Sequence, residues 1–279
     1  MDRNIHHANA WLWLTAPTAI LLAIAAGGGV FINGLYRDAP YFAAQAVGQD
    51  LISLAVVLPA LIVSAILTSH GSNRARLIWL GGLVYLIYTY VIAAFDVKFN
   101  PLFLVYVGLF SCSLYALIGS LVTANMTAIK ACFTEKTPVK SVSIYLAALA
   151  VLFYFMWLSE VVPAMLAGKV PQSIQDNGTP TNAVHVLDMA WVLPAFGITA
   201  VSLWRRQALG YTLAGTILSF LVFLILAILS MVVSMIRGGQ PIIVPQVVIF
   251  GAFFALSLGM LIWYMKGMNS APSLGRQMD

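Results

Sequence analysis

Residues 208–236 read ALGYTLAGTILSFLVFLILAILSMVVSMI, a stretch without one charged side chain. About 20 apolar residues in a helix are enough to cross the hydrocarbon core of a bilayer. Because lipid offers no hydrogen-bond partners, a spanning backbone has to satisfy its own N–H and C=O groups, which a helix does. This stretch alone therefore predicts a transmembrane helix.

Seven further stretches of similar character lie elsewhere along the chain. Together the predicted spans are about 11–33, 49–69, 77–95, 101–124, 142–167, 184–204, 208–236 and 242–265. The whole chain is 61% hydrophobic and 8% charged, whereas a soluble domain carries about 25% charged residues. The predicted fold is all-α, a single transmembrane domain over residues 1–279 built as a bundle of eight helices.

The charged residues and the cysteines indicate which partners, disulfides and metal sites to expect. The formal net charge is +5, but the basic residues lie in short loops, where the anionic headgroups of the lipid bilayer are their natural partners. Nucleic acid is therefore not an expected partner. Cys112 lies inside a predicted span and Cys132 in a basic loop, a pattern that indicates neither a disulfide framework nor a zinc cluster.

The distribution of lysine and arginine predicts which loops face the cytoplasm. One side of the predicted bundle carries ten of these residues, namely Arg3, Arg74, Arg76, Lys130, Lys136, Lys140, Arg205, Arg206, Lys266 and Arg276. The other side carries four, namely Arg37, Lys98, Lys169 and Arg237. We therefore predict a multi-pass protein of the plasma (inner) membrane with both termini in the cytoplasm.

The two halves of the chain contain segments that resemble each other. Residues 50–60 read DLISLAVVLPA and residues 185–195 read HVLDMAWVLPA, so that Leu-Pro-Ala recurs in the same register. Because each half holds four spans, the halves would point the same way. We predict two parallel four-helix repeats, about 11–124 and 142–265, related by a pseudo-two-fold axis along the membrane normal. The proline of each copy would kink its helix and free backbone carbonyls.

Glu160 is the most informative polar residue of the predicted spans. It lies about seven residues before the outer end of the fifth span, which is roughly 10 Å inside at 1.5 Å per residue. A carboxylate at that depth is costly unless it is paired, protonated or open to water, and it is a functional candidate by default. The alternative is a structural hydrogen bond made by the protonated acid.

His185 and Asp188 are three residues apart and therefore share one face of the sixth span. Asp50 occupies the position of His185 in the other copy of the repeat. These three residues could converge with Glu160 beneath the outer loops, as ligands of a divalent metal or as an acid/base set. Helix capping is the alternative, since carboxylates in first turns offset the helix dipole and Asn182 is a suitable N-cap. No established metal motif is present, so the metal and any cofactor stay open.

Arg37 and Asp38 lie in the first outer loop. They are expected to pair with each other at the surface. Alternatively, Arg37 could bind an anionic ligand or neutralise Glu160.

Three tyrosines mark the third span. Tyr85 and Tyr88 share a face of the predicted helix, whereas Tyr90 turns aside. Aromatic packing or an interfacial belt explains most of them.

Three segments of the outer side resemble a known family. Residues 34–38 (GLYRD) leading to 48–51 (GQDL), residues 99–106 (FNPLFLVY) and residues 182–188 (NAVHVLD) are similar to those of a family of uncharacterised prokaryotic multi-pass membrane proteins. The resemblance covers most of the chain. The family carries no assigned activity, so the resemblance implies only that these outer motifs belong together.

The sequence favours a transporter of a small molecule or ion, with an outward-facing acidic cavity between the two halves. The predicted duplication, the kinks and the acidic outer residues all fit this function. A membrane-embedded enzyme that uses Glu160, His185 and Asp188 is the first alternative. A sensor or assembly protein without turnover is the second.

The predicted topology can be tested by cysteine labelling. A cysteine at Asp176 should react with an impermeant reagent added to intact cells, and a cysteine at Ser72 should react only after permeabilisation, because the ten-to-four bias places residue 72 inside. Labelling of residue 72 in intact cells would reverse the orientation.

Overall fold

A computed structural model describes residues 11–269, and within that range it contains eight long helices and no strand. All eight helices are long and apolar enough to cross a membrane. They are α1 (Trp11–Phe31), α2 (Pro40–Ser69), α3 (Asn73–Phe95), α4 (Phe103–Thr123), α5 (Val139–Leu166), α6 (Ala183–Trp204), α7 (Ala208–Arg237) and α8 (Val244–Lys266). The predicted all-α bundle of eight helices is confirmed, and the protein is a multi-pass membrane protein.

The second helix begins earlier than the sequence predicted. It was expected to start at about residue 49, but α2 starts at Pro40, which occupies the first turn where a proline needs no N–H partner. The segment 40–48 contains Tyr41 and Gln45 and is less apolar than the rest of the span, so hydropathy alone missed it. Its packing against α7 makes it part of the bundle.

The helices α3 and α7 form the centre of the bundle. The helix α7 packs against α2, α3, α6 and α8, and α3 packs against α2 and α4. Gly81 of α3 lies against the α7 backbone, where a Cβ atom would come within 2.7 Å of the Thr216 carbonyl oxygen. Gly48 of α2 lies against the same helix, and a Cβ there would be 2.5 Å from the Met231 Cα atom. Small residues thus let these backbones approach closely, as is typical of membrane helices.

Both Leu-Pro-Ala segments follow a π-helical turn. The two turns span Ser53–Val57 in α2 and Asp188–Val192 in α6, at matching positions of the predicted repeat. A proline lacks an N–H, and its ring clashes with the carbonyl four residues earlier. The wider turn relieves that clash and leaves one carbonyl without its α-helical donor. The predicted distortions therefore take this form, while the duplication of the complete halves stays a prediction.

The loops meet on two opposite faces. On one face, Thr134 N–H donates to the Gly267 carbonyl over 2.8 Å and Asn269 N–H donates to the Cys132 carbonyl over 2.8 Å. We call this the basic face, and the face with the loops 32–39, 96–102, 167–182 and 238–243 the acidic face. The described chain begins and ends on the basic face. Its location in the cytoplasm stays a prediction.

The packing of α3 on α7 can be tested with Gly81→Ala. The added methyl group would press on the α7 backbone, and overpacking of this kind costs about 1–3 kcal/mol. We expect a lower midpoint of thermal unfolding in detergent. The matched control is Gly251→Ala in α8, because nothing lies within 4 Å of its Cβ position and alanine is the better helix former. Equal midpoints for the two variants would contradict the close contact.

Candidate functional site

Glu160 and His185 lie next to each other between α5 and α6. The His185 Nε2 atom is 3.7 Å from Glu160 Oε2, and the side chains are 6% and 29% exposed. The other carboxylate oxygen of Glu160 accepts a hydrogen bond from the Ser173 N–H over 3.1 Å. Glu160 therefore faces a partner rather than lipid alone, and it is the member of the pair that solvent reaches.

Trp157 connects this pair to Asp188. The Trp157 ring lies 4.5 Å from the His185 ring, and its Nε1–H donates to Asp188 Oδ2 over 2.9 Å. Tyr88 of α3 donates its hydroxyl to the other oxygen, Asp188 Oδ1, over 3.0 Å. His185 and Asp188 thus face the same neighbour, as their spacing predicted. We call Tyr88, Trp157, Glu160, His185 and Asp188 the Asp188 cluster.

The start of α6 is held by two side chains. Asn182 Oδ1 accepts from the Val184 N–H over 2.9 Å and from the His185 N–H, so the N-cap predicted from the sequence is confirmed. Asp96, which follows α3, accepts from the Ala183 N–H over 2.8 Å. Burial raises the pKa of Asp96, and this hydrogen bond partly offsets the increase. These caps fix the position of His185 relative to α3.

Asp50 lies in a different environment from the one predicted. Its carboxylate accepts the hydroxyl of Tyr36, which reaches it from the loop between α1 and α2. The same oxygen lies against Gly29 in the last turn of α1, where a Cβ atom would collide with it. No described hydrogen bond or ion pair joins Asp50 to Glu160, His185 or Asp188. The structure therefore brings those three together and places Asp50 in a second cluster.

The capping hypothesis for Asp50 is wrong, because the residue is not in a first turn. The helix α2 begins at Pro40, so Asp50 is about 15 Å along the helix from its start. Asp50 is only 4% exposed. A carboxylate so placed offsets no free N–H of its own helix.

Hydroxyl groups lie around Asp50. Ser53, three residues further along α2, shares a 2.8 Å hydrogen bond with the Tyr85 hydroxyl. Burial, the Asp50 charge and the neighbouring Tyr106 and Tyr90 hydroxyls raise the pKa of Tyr36 far above its usual range. Asp50, Tyr36, Tyr85, Tyr90, Tyr106 and Gly29 are called the Asp50 cluster from here on.

The helix α3 serves both clusters. Tyr85 forms a hydrogen bond with Ser53 at the Asp50 cluster, and Tyr88 forms a hydrogen bond with Asp188 in the Asp188 cluster. Both rings also contact phenylalanines of α7, Tyr85 with Phe223 and Tyr88 with Phe220. The tyrosines assigned to packing or a belt thus also provide polar partners. Their spacing on one helix face was the signal, but it did not show which helices they meet.

Arg37 makes no ion pair with Asp38 or Glu160, and its side chain is exposed. Asp38 accepts instead from the Lys98 backbone N–H over 2.8 Å, which links the loop after α1 to the loop after α3. The expected surface pair is therefore not formed. A role of Arg37 in binding an anionic ligand stays a prediction.

Two chemical features limit what the clusters can hold. Among residues 11–269, no group of three histidine, cysteine, aspartate or glutamate side chains is placed to bind a metal. No lysine or arginine of that range forms an ion pair with Asp50 or Asp188.

Two concave surfaces of the described chain lie elsewhere, one of about 250 Å³ on the basic face beside Arg74 and one on the apolar side of α5.

Comparison with known proteins adds no relative. Neither a protein-family model, nor a curated protein, nor a solved structure matches this chain. The resemblance to an uncharacterised prokaryotic family therefore stays a prediction. The chain is identified from its own features as a multi-pass membrane protein with two buried carboxylates that have uncharged hydrogen-bond donors.

The partners of Asp188 can be tested with Tyr88→Phe. The variant removes the hydroxyl donor and leaves a buried carboxyl oxygen unpaired, which costs about 1–3 kcal/mol. We expect a lower unfolding midpoint at neutral pH. Tyr115→Phe is the control, because Tyr115 of α4 is 60% exposed and no hydrogen bond is described for its hydroxyl. If both variants match the parent protein, the Tyr88–Asp188 hydrogen bond does not stabilise the fold.

Proposed function

We propose that the protein is a cation-coupled membrane transporter in which Asp50 and Asp188 bind and release the coupling cation. The observation that carries this proposal is the pair of buried carboxylates without a basic partner among residues 11–269. Asp50 is 4% exposed and Asp188 is 9% exposed, and the hydrogen bonds described to both come from neutral donors.

The cost of an ionised carboxylate supports this proposal. Even by the lower estimates, a charge inside a bilayer costs about 2.5–3.5 kcal/mol. Hydrogen bonds from tyrosine and tryptophan reduce that cost but do not cancel the charge. Asp50 and Asp188 therefore need either a proton or another cation to become neutral. A group that has to be neutralised by a mobile cation is what an ion-coupled carrier requires.

The backbone next to each carboxylate also supports transport. Asp188 opens one π-helical turn and Asp50 lies three residues before the other. Transporters commonly place their ion sites where a spanning helix is interrupted and its carbonyls become available. The two sites lie on α2 and α6, which occupy matching positions in the predicted parallel repeat.

Glu160 and His185 lie between the Asp188 site and the loops of the acidic face. Glu160 is partly exposed, whereas His185 is buried and its Nε2 atom has no hydrogen-bond partner among the described residues. A cation that moves between the acidic face and Asp188 therefore passes these two side chains. In this proposal the structure is a closed state in which Asp50 and Asp188 are shielded from solvent. The outward-opening cavity forms in another state of the transport cycle.

Ion movement in proteoliposomes tests the proposal without knowledge of the transported substrate. Uptake of radioactive Na⁺ and the signal of a trapped pH-sensitive dye are both recorded after a Na⁺ or a pH jump is applied outside. We expect the parent protein to move Na⁺ or protons faster than empty vesicles do. Asp50→Asn and Asp188→Asn should each lower that rate at least about tenfold, because the neutral amide has no negative charge for a cation or a proton to balance.

The matched control is Asp176→Asn, which changes an exposed loop carboxylate and should keep the parent rate. Correct insertion of each variant is checked by its elution as a single species in detergent. A parent rate equal to that of empty vesicles under both jumps, or full rates for both site variants, would contradict the transporter.

A further inference from the structure

We infer that the Asp50 cluster is a binding site for one small monovalent cation of the size of Na⁺. This inference rests on the proposed function, since it names the ion that the first of the two carboxylates takes. It depends on three features of the cluster, which are the end of α1, the kinds of donor atom and a buried hydroxyl without a partner.

The end of α1 makes the site unusually negative. Gly29 lies in the last turn of this helix, two residues before Phe31, and the Asp50 carboxylate lies directly against it. The last carbonyls of a helix have no intrahelical donor, and the helix dipole gives this end a partial negative charge. Of these carbonyls, that of Gly28 is capped by the Ile32 N–H over 2.9 Å. A carboxylate beside a helix C-terminus is destabilised by this partial charge unless a proton or a bound cation neutralises it.

Gly29 is what permits this arrangement. A Cβ atom at residue 29 would collide with the Asp50 carboxylate and would come within 2.8 Å of the Tyr36 hydroxyl oxygen. The space beside the α1 backbone is therefore filled by oxygen atoms of Asp50 and Tyr36. Because residue 29 is a glycine, these oxygen atoms lie close to the end of α1. The backbone carbonyls at that helix end can then bind the same ion.

The donor atoms select the class of cation. The described polar side chains of the cluster supply oxygen only, from the Asp50 carboxylate and from tyrosine hydroxyls. Oxygen ligands suit hard cations, whereas zinc and copper prefer nitrogen and sulfur. One carboxylate supplies a single negative charge, which matches a monovalent ion. Helix C-termini and carbonyls freed by a broken helix are the groups that hold Na⁺ in known transporter sites.

The buried Tyr90 hydroxyl is the third feature that indicates a bound cation. Tyr90 is 1% exposed, and its buried hydroxyl has no hydrogen-bond partner in the part of the chain that the structure describes. The neighbouring residues Gln49 and Thr89 share a 2.7 Å hydrogen bond, which places Tyr90 of α3 beside Asp50 of α2, and the Tyr90 ring packs against that of Tyr106 at 5.9 Å. Buried hydroxyls are nearly always paired. A cation held by Asp50 gives this oxygen a partner.

Thermal unfolding in detergent tests the site directly. The parent protein is titrated with NaCl against KCl and choline chloride at one ionic strength and one pH. We expect the unfolding midpoint to rise with NaCl and to saturate, because a ligand that binds only the folded state stabilises it. Asp50→Asn should abolish the dependence on Na⁺. Tyr90→Phe should weaken the apparent affinity for Na⁺ about tenfold, by loss of one oxygen near the ion.

Asp176→Asn, which changes an exposed loop carboxylate, is the matched control and should keep the full response to Na⁺. An equal response to KCl or choline chloride, or a Na⁺ response that persists in Asp50→Asn and is unchanged in Tyr90→Phe, would overturn the inference. If Asp50→Asn does not fold, the affinity of Tyr90→Phe decides the question alone. Saturable Na⁺ binding without ion movement in vesicles would keep this site and reject the transporter, so the two failures can be told apart.

Discussion

The close approach of α3 and α7 is the contact on which both polar clusters depend. The two backbones can approach because Gly81 has no side chain that would collide with the Thr216 carbonyl oxygen of α7. The same two helices then bring Tyr85 against Phe223 and Tyr88 against Phe220. With the rings held by α7, the hydroxyls point to α2 on one side and to α6 on the other. A shift of α3 would therefore disturb both carboxylate sites at once.

The second constraint is electrostatic. Asp188 is held by the N–H of Trp157 and the hydroxyl of Tyr88, and Asp50 by the hydroxyl of Tyr36. A fixed arginine or lysine would neutralise such a carboxylate permanently. Neutral donors leave the charge to be balanced by something that can move. This difference separates a structural ion pair from a site that can be loaded and emptied, and it is why we favour transport.

Part of this structure was readable in the sequence. Long apolar stretches are a local signal, so the eight helices and the all-α class followed from composition. The recurring Leu-Pro-Ala also acts locally, and it predicted distortions where the π-helical turns occur. Glu160 and His185 could be paired because a carboxylate inside a span needs a partner. The start of α2 was missed, since the segment 40–48 owes its place to contacts with α7 rather than to hydropathy.

The remaining parts of the sites depend on contacts between distant residues. Trp157 is one turn from Glu160, but only the packing of α5 on α6 shows that its N–H reaches Asp188. Tyr36 lies in a loop, and no periodic pattern indicates that it reaches Asp50. Gly29 is one of three successive glycines in α1, and the sequence does not show which of them meets a carboxylate. Asp50 was consequently grouped with Glu160, although its partners are on α1 and in the first loop.

Infrared spectroscopy of the protein in lipid, with its aspartates labelled by ¹³C at the side-chain carboxyl, tests the central claim most directly. It distinguishes a protonated acid from a carboxylate inside the membrane. The account predicts a buried protonated aspartate in Na⁺-free buffer, lost in Asp50→Asn and converted to a carboxylate when Na⁺ is added. It also predicts a second band that responds to pH and is absent in Asp188→Asn. Spectra that are identical with and without Na⁺ and across pH would mean that neither carboxylate exchanges a cation, which would contradict the account.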